Sequence, residues 1–372
     1  MNWRSFIFNL YSFALILFSY QSRTVAITGS ELKFNKNSTF KIVQFADLHF
    51  GEDSWTEWGP NQDIKSKNVM ESILIAEKPD FVVFSGDQIT ANNIGTETKN
   101  ATKYWDQVVS VVQRHKIPWC AIIGNHDDMP LHPQSKPEFY TTRKELLQFD
   151  MSYNLSHTRL SSNNIFGVSN YVLYVKSNDG KKDIASILVM DSGGGSLPEQ
   201  IDHTQVTWLN HQVEEIRKRT SGSSTDGKNS LAYMHIPTNE FVHAASIVKT
   251  NQNYCTGTFN ESVSPAMETN SSIVEILADS NLFVSLNVGH NHGNDSCCPY
   301  SGKSSFHICY GRHSGYGGYG TWNRGARVIQ MTHIQKSFKV EFESWIRMED
   351  GSIQNFQNLT TIESSTTKIR RI

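Results

Sequence analysis

Five short apolar runs in this chain each stop on a residue able to bind a metal ion. "KIVQFA" is followed by Asp47 and His49, and "FVVFSG" by Asp87. "CAIIG" leads into Asn125, His126 and Asp127, "LAYM" into His235, and "SLNVG" into His290 and His292. Runs this short, bounded by Gly, Asp or Asn, suit buried strands better than helices. In extended chain, residues i and i+2 point to the same side, so Asp47 and His49 can face one spot, as can His290 and His292. Alone, an Asp at a strand end is usually a turn former or helix cap, and a single HxH is as readily a polar turn. Five such ends together point to one shared site, because ligands in α/β folds bind beyond the carboxyl ends of the strands.

Between the runs lie amphipathic stretches. "NQDIKSKNVMESILIAEK" predicts a helix with Ile64, Met70, Ile73 and Leu74 on its apolar face, and "TKYWDQVVSVVQRHK" one burying Trp105, Val108, Val109 and Val112. "TQVTWLNHQVEEIRKR" reads as a helix whose basic end suits its dipole, and "SSIVEILADS" as another. "DIASILVMDSGG" is a further strand. "SSFHICYG", "ARVIQMTHI" and "SFKVEFESWI" are strand-like with no helix between them, and "RTSGSSTDGKNS" reads as a surface loop. Alternation followed by a strand-rich end predicts an α/β sandwich of mixed sheets. A chain of 372 residues can hold one large domain or two ordinary ones. Without a convincing linker, the reading is one domain over residues 38–350 and a tail over 351–372.

The formal net charge is −2 and no long basic run occurs, which excludes an evident nucleic-acid surface. Residues 1–26 combine Arg4, an apolar stretch from Phe6 to Phe18 and polar residues after it, the layout of a signal peptide, with cleavage after Ala26 as one option. An uncleaved signal anchor is the alternative, although the stretch is short against the roughly 20 residues of a membrane span. No other segment reads as a span. Glycosylation sequons occur at Asn37, Asn100, Asn154, Asn260, Asn270, Asn294 and Asn358, a density that suggests a glycosylated surface. Cys120 sits in an apolar run and reads as a buried thiol. Cys255, Cys297, Cys298 and Cys309 suit two disulfides in an oxidising compartment, with Cys297 and Cys298 each reaching Cys255 or Cys309 in an order left open. A secreted or secretory-pathway protein is expected.

Carboxylates, imidazoles and an amide carbonyl without thiolates suit Mn, Zn or Fe. Seven candidate ligands exceed one tetrahedral site and match two sites sharing a carboxylate. Two metals about 3.5–4 Å apart form a clamp for phosphoryl chemistry.

The ordered series DxH (Asp47 to His49), GD (Gly86-Asp87), GNHD (Gly124 to Asp127), a later His235 and GHxH (Gly289 to His292) resembles the calcineurin-like metallophosphoesterase superfamily over about residues 40–325. The "HIP" at His235 and the "CYGRHSGYGGYG" run look like its short, single-domain, purple-acid-phosphatase-like group. The resemblance implies a four-layer αββα sandwich of two mixed sheets flanked by helices, with a dinuclear metal site at the strand carboxyl ends. It implies that Asp47, His49 and His292 bind one metal, that Asn125, His235 and His290 bind the other, and that Asp87 bridges them. It further implies that His126 faces substrate and protonates the leaving oxygen, that Asp127 orients His126, and that a metal-bridging hydroxide attacks phosphorus in line. Thr90 stands three residues after Asp87, where the purple enzymes carry a tyrosinate ligand; His49 in the first motif would compensate.

Arg312, His313, Tyr316 and Tyr319 are candidates for the substrate mouth, against the alternative of an exposed glycine-rich loop. Asp191 reads as structural, and His203, His211, His243 and His307 carry no ligand spacing. The function these features imply is hydrolysis of phosphomonoesters, on small molecules or phosphoproteins. The alternatives are a phosphodiesterase or nucleotide hydrolase on the same site, and a catalytically silent glycoprotein of the same fold.

Overall fold

The computed structural model describes residues 31–94, 101–128, 141–220, 228–268, 272–300, 306–337 and 339–360. The signal-like segment, the sequons at Asn100 and Asn270, residues 221–227 of the Gly/Ser-rich loop and the tail after residue 360 lie outside the described residues. The chain runs β1 (Thr39–Phe45), α1 (Trp58–Glu77), β2 (Phe81–Ser85), α2 (Ala101–Arg114), β3 (Trp119–Ile122), α3 (Arg143–Asp150), β4 (Tyr171–Lys176) and β5 (Asp183–Val189). It continues through β6 (Gly193–Gly194), β7 (Leu197–Ile201), α4 (His203–Thr220), β8 (Ser230–Tyr233), α5 (Asn239–Val248), β9 (Met267–Glu268), α6 (Ile273–Asp279) and β10 (Phe283–Val288). The last strands are β11 (Cys297–Pro299), β12 (His307–Tyr310), β13 (Gly325–Ile334), β14 (Lys339–Met348) and β15 (Ile353–Asn358).

Two six-stranded sheets carry the fold, in the orders β15-β14-β13-β1-β2-β3 and β11-β12-β10-β8-β5-β4. In the first, β1, β2 and β3 are parallel, and β13 joins β1 antiparallel. In the second, β5, β8, β10 and β12 are parallel. Strand alternation sorts side chains into layers. Phe40, Ile42, Phe81, Val83, Cys120 and Ile122 face the second sheet and meet Leu173, Ile187, Leu231 and Tyr233. Val43, Phe45, Val82, Phe84 and Ala121 face the other way, onto Met70, Ile73 and Leu74 of α1 and Trp105, Val108 and Val112 of α2. The far side of the second sheet packs on Leu209 and Ile216 of α4, Phe241 of α5 and Leu277 of α6. Three apolar cores thus separate four layers, helix–sheet–sheet–helix.

Several sequence expectations need correction. Ile64 is 55% exposed, whereas Met70, Ile73 and Leu74 are buried; six residues separate Ile64 from Met70, which turns it away from that face at 3.6 residues per turn. Sheet structure continues past residue 350, because β15 pairs with β14 and Leu359 is buried between the sheets. Asn294 is fully buried and accepts a bond from the Glu261 amide at 3.1 Å, so its sequon is not on the surface, while Asn37, Asn154, Asn260 and Asn358 are exposed. The disulfides are Cys255–Cys298 and Cys297–Cys309, and Cys120 is a buried free thiol. Among the described residues no helix is long and apolar enough to cross a membrane.

Candidate metal centre

The parallel strands β1, β2 and β3 bring Asp47, His49, Asp87 and Asn125 to one edge of the first sheet. β8 and β10 bring His235, His290 and His292 to the same edge of the second. Just below the site the Gln44 amide ties the layers, donating to Ser85 Oγ at 2.9 Å and to the Val288 carbonyl at 3.1 Å. Asp47, His49, Asp87 and His290 have φ between 49° and 74°. Left-handed backbone at non-glycine residues costs on the order of 1–3 kcal/mol each and survives only where surroundings enforce it. Gly86 and Gly124 allow the crowding: a Cβ on Gly86 would meet His235 Nδ1 at 2.2 Å, and one on Gly124 would meet Asp87 Oδ1 at 2.2 Å.

The side chains form two groups, Asp47–His49–His292 and Asp87–His235–His290, whose ligand atoms lie within 4.8 Å of one another. Asn125 Oδ1 closes the second group, 2.9 Å from His235 Nε2 and 3.0 Å from His290 Nδ1. Asp87 Oδ2 lies between the groups, 3.1 Å from His235 Nε2 and 3.7 Å from His49 Nε2. His235 Nδ1 faces the Ser85 carbonyl at 2.9 Å, which can only accept, so Nδ1 carries a proton. Nε2 faces two acceptor oxygens and, when metal-free, holds a second proton toward them. In the first group His292 Nδ1 donates to the Tyr319 carbonyl at 2.9 Å, leaving the bare Nε2 3.1 Å from His49 Nε2. Once these inner nitrogens shed their protons, nitrogen and oxygen lone pairs converge in each group, an arrangement that suits a cation.

Electrostatics agree. Burial lowers His49 well below the usual histidine range, His290 to about 3 and His292 to about 4, so all three rings are neutral and ready to ligate. Burial pushes Asp47 up to about 7. Burial also penalises charge on His235, but the Asp87 carboxylate beside it outweighs that and raises the ring to about 9. Asp87 feels the same burial, yet His235 and His126 hold it well below the carboxylate range. A cation-free centre therefore holds protons that a bound cation would displace. Nitrogen and oxygen donors without thiolate fit two first-row divalent ions.

His126 stands beside the first group without joining either. Its amide donates to Asp87 Oδ1 at 2.7 Å, its ring lies 5.0 Å from that of His49, and its buried Nδ1 has no partner among the described residues. Asp127 does not orient that ring. Its carboxylate accepts from the amides of Gly124 at 2.7 Å, Asp87 at 3.1 Å and Ile89 at 3.0 Å, stapling the β2 and β3 loops together.

Of the four mouth candidates, only Tyr319 is exposed, at 51%, with its ring stacked 4.0 Å from that of His292. Arg312 is buried and bonds Asp295 at 2.8 Å, so its charge is spent inside the fold. His313 is buried behind His292, with ring centroids 3.9 Å apart. The Tyr316 hydroxyl bonds Glu349 at 2.7 Å, and its ring carries Arg324 and Lys65. Asp191 is structural: with Asp128 it holds the buried Arg143 at 2.7 and 2.8 Å, and it caps Val168 and Gly193 amides.

Sequence reasoning did not find Arg143, which fastens the Gly124 and Gly194 carbonyls beside Asn125. Nor did it find Glu261, which accepts from the Gly293 amide at 2.9 Å and the Tyr319 hydroxyl at 3.0 Å. Neither lies in a motif, and both reach the site only through tertiary folding.

The sequence model of the calcineurin-like phosphoesterase family matches residues 40–312. The chain is 28% identical to the probable inactive purple acid phosphatase 29 of Arabidopsis thaliana, covering 91% of this chain and 90% of that protein. It is 29% identical to phosphatase DCR2 of Saccharomyces cerevisiae over 78% of this chain and 50% of that one. Its fold is similar to a dimetal phosphatase from Danio rerio, with TM-score 0.54, 11% identity and coverage of 86% of this chain and 98% of that one. It is also similar to the purple acid phosphatase PPD1 of yellow lupin, with TM-score 0.51, 13% identity and coverage of 87% and 54%.

Proposed function

The chain belongs to the calcineurin-like phosphoesterase family, and from that membership we propose that it is an active dinuclear-metal phosphatase hydrolysing phosphomonoesters of small molecules or phosphoproteins. The observation that carries the reading is the complete set of converging donors. Asp47, His49 and His292 hold one ion, Asn125, His235 and His290 the other, and Asp87 bridges them. When bound, two such ions polarise phosphoryl oxygens and lower the pKa of water. With the imidazoles neutral, two carboxylates and two divalent ions leave the centre net positive, matched to a phosphate dianion. His126, outside both groups beside His49, donates a proton to the leaving alkoxide oxygen. Relatives named probably inactive keep a catalytically silent glycoprotein as the alternative, which the assay below decides.

The ions are divalent, Mn or Zn rather than ferric iron in a tyrosinate site. Thr90 replaces a phenolate after Asp87, and the hydroxyls of Tyr316 and Tyr319 are engaged by Glu349 and Glu261. Loaded protein should show no visible tyrosinate band. The signal-like N-terminus, two disulfides and four exposed sequons support passage through the secretory pathway.

The test is hydrolysis of an aryl phosphate and an aryl phosphodiester by purified protein, with chelator and with added Mn or Zn. Chelator-sensitive monoester hydrolysis is expected. Preference for the diester would reassign the substrate, and no turnover of either ester by the loaded protein would contradict the proposal.

A further inference from the structure

Three ligand imidazoles have the ring nitrogen remote from the centre held by a partner. Two of those partners are carbonyl oxygens, Ser85 for His235 and Tyr319 for His292, each at 2.9 Å. A carbonyl only accepts, so it locks one tautomer. The third is different: His49 Nδ1 lies 2.9 Å from the Thr90 hydroxyl, which both donates and accepts. Thr90 is buried, and its position is set by main chain. The amides of His49 and Phe50 donate to the Asp87 and Gln88 carbonyls at 2.9 and 3.0 Å, and the Thr90 amide returns to the Phe50 carbonyl at 3.0 Å. This short ladder ties the loop after β1 to the loop after β2, and a β-branched side chain on it has little rotamer freedom.

We propose that Thr90 is the positioning residue of His49, and that its two-way hydroxyl lets this ring exchange tautomers between the metal-free and loaded centre. The inference rests on the dinuclear reading above. Without metal, His292 Nε2 holds a lone pair because its proton is at Nδ1. His49 Nε2, 3.1 Å away, makes a favourable contact only by donating to it. His49 Nδ1 is then bare and accepts the Thr90 O–H. To serve as a ligand, His49 Nε2 must instead offer its lone pair. Its proton leaves to solvent, another is taken up at Nδ1, and that N–H donates to Thr90 Oγ1. The ring is neutral before and after, with no net change in protons, and the hydroxyl rotates. A carbonyl in place of Thr90 would forbid the metal-free arrangement, and a methyl group would support neither.

The experiment compares wild-type protein, Thr90→Val, which keeps the shape and loses the hydroxyl, and Thr90→Ser, which restores it. Calorimetric zinc titration gives stoichiometry and affinity, and 15N NMR of the histidine rings gives tautomers before and after loading. Thr90→Val should bind one of two ions about 10–100-fold more weakly, the usual effect of losing a partner behind a metal ligand. The other ion should be unchanged and Thr90→Ser close to wild type. In wild-type protein the His49 proton should move from Nε2 to Nδ1 on loading. Two-ion binding by Thr90→Val equal to wild type would overturn the positioning role alone. An unchanged His49 tautomer would overturn the exchange. Failure of wild-type protein to bind two zinc ions would overturn the dinuclear reading itself, and this inference with it.

Discussion

The two halves of the centre are built differently. The Asp87–Asn125–His235–His290 group is made from the ends of strands buried between two sheets, with His235 fully enclosed and the nearest donor contacts at 2.9–3.1 Å. The Asp47–His49–His292 group is equally buried, but it is walled by a loop instead of by strand ends. Its wall is the glycine-rich loop after β12, where a Cβ on Gly318 would meet His292 Cε1 at 2.5 Å, and where the half-exposed Tyr319 holds His292 by carbonyl and ring. Glu52 accepts from the Gly318 amide and Glu261 from the Gly293 amide, so two rim carboxylates brace that wall. The contrast implies unequal retention. The ion in the strand-built group should be held tightly, and the one beside the loop should exchange.

The severest way to break the comparison is to remove what both halves share. Asp87→Ala should deplete both ions and reduce hydrolysis by at least about 10²–10³-fold, as loss of a key electrostatic group does. Elemental analysis checks it, and two ions retained would remove Asp87 from the bridge. His126→Ala should spare both ions and slow turnover by roughly 10²–10⁴-fold, the contribution of a positioned acid. If it loses metal as Asp87→Ala does, His126 is a ligand and the grouping is wrong.

Acidity gives a graded probe. Metal-free His235 and Asp47 are raised to about 9 and about 7, and each must shed its proton to ligate. Loading should therefore release one proton between pH 9 and 7 and two below 7. Apparent affinity should fall about tenfold per pH unit in the first window and about a hundredfold per unit in the second. His49, His290 and His292 add nothing over this range because burial already keeps them neutral. Proton release measured in two buffers of different ionisation enthalpy reads the count directly.

The gentlest probe is the loop. Tyr319→Ala removes the stacked ring and leaves the main-chain carbonyl, so the loop-side ion should dissociate only a few-fold faster in a chelator chase, with the other unaffected. Equal loss of both ions would erase the asymmetry.

The strand-built half was the more legible in sequence. Asp87, Asn125 and His235 follow apolar runs directly, and the parallel order of those runs brings their ends together. The same logic brings Asp47, His49 and His292 together, and they lie in one group. What it could not see was how the chain returns to the site from afar. Arg312 and Tyr316 read as mouth residues because they sit in a glycine-rich run, yet Asp295 and Glu349, from other segments, turn them inward. Asp127 looked like a partner for its neighbour His126, but adjacent side chains in a tight loop point apart, and three backbone amides claimed the carboxylate. Thr90 was visible only as a missing tyrosine; its contact with His49 depends on pairing between two loops.

The most direct test of a two-ion centre with unequal halves is zinc titration of metal-free protein, alongside His49→Ala and Asn125→Ala. Wild-type protein should bind two ions per chain with separable affinities. His49→Ala should lose the weaker step and Asn125→Ala the tighter one. A single step of one ion, or both variants losing the same step, would contradict the account.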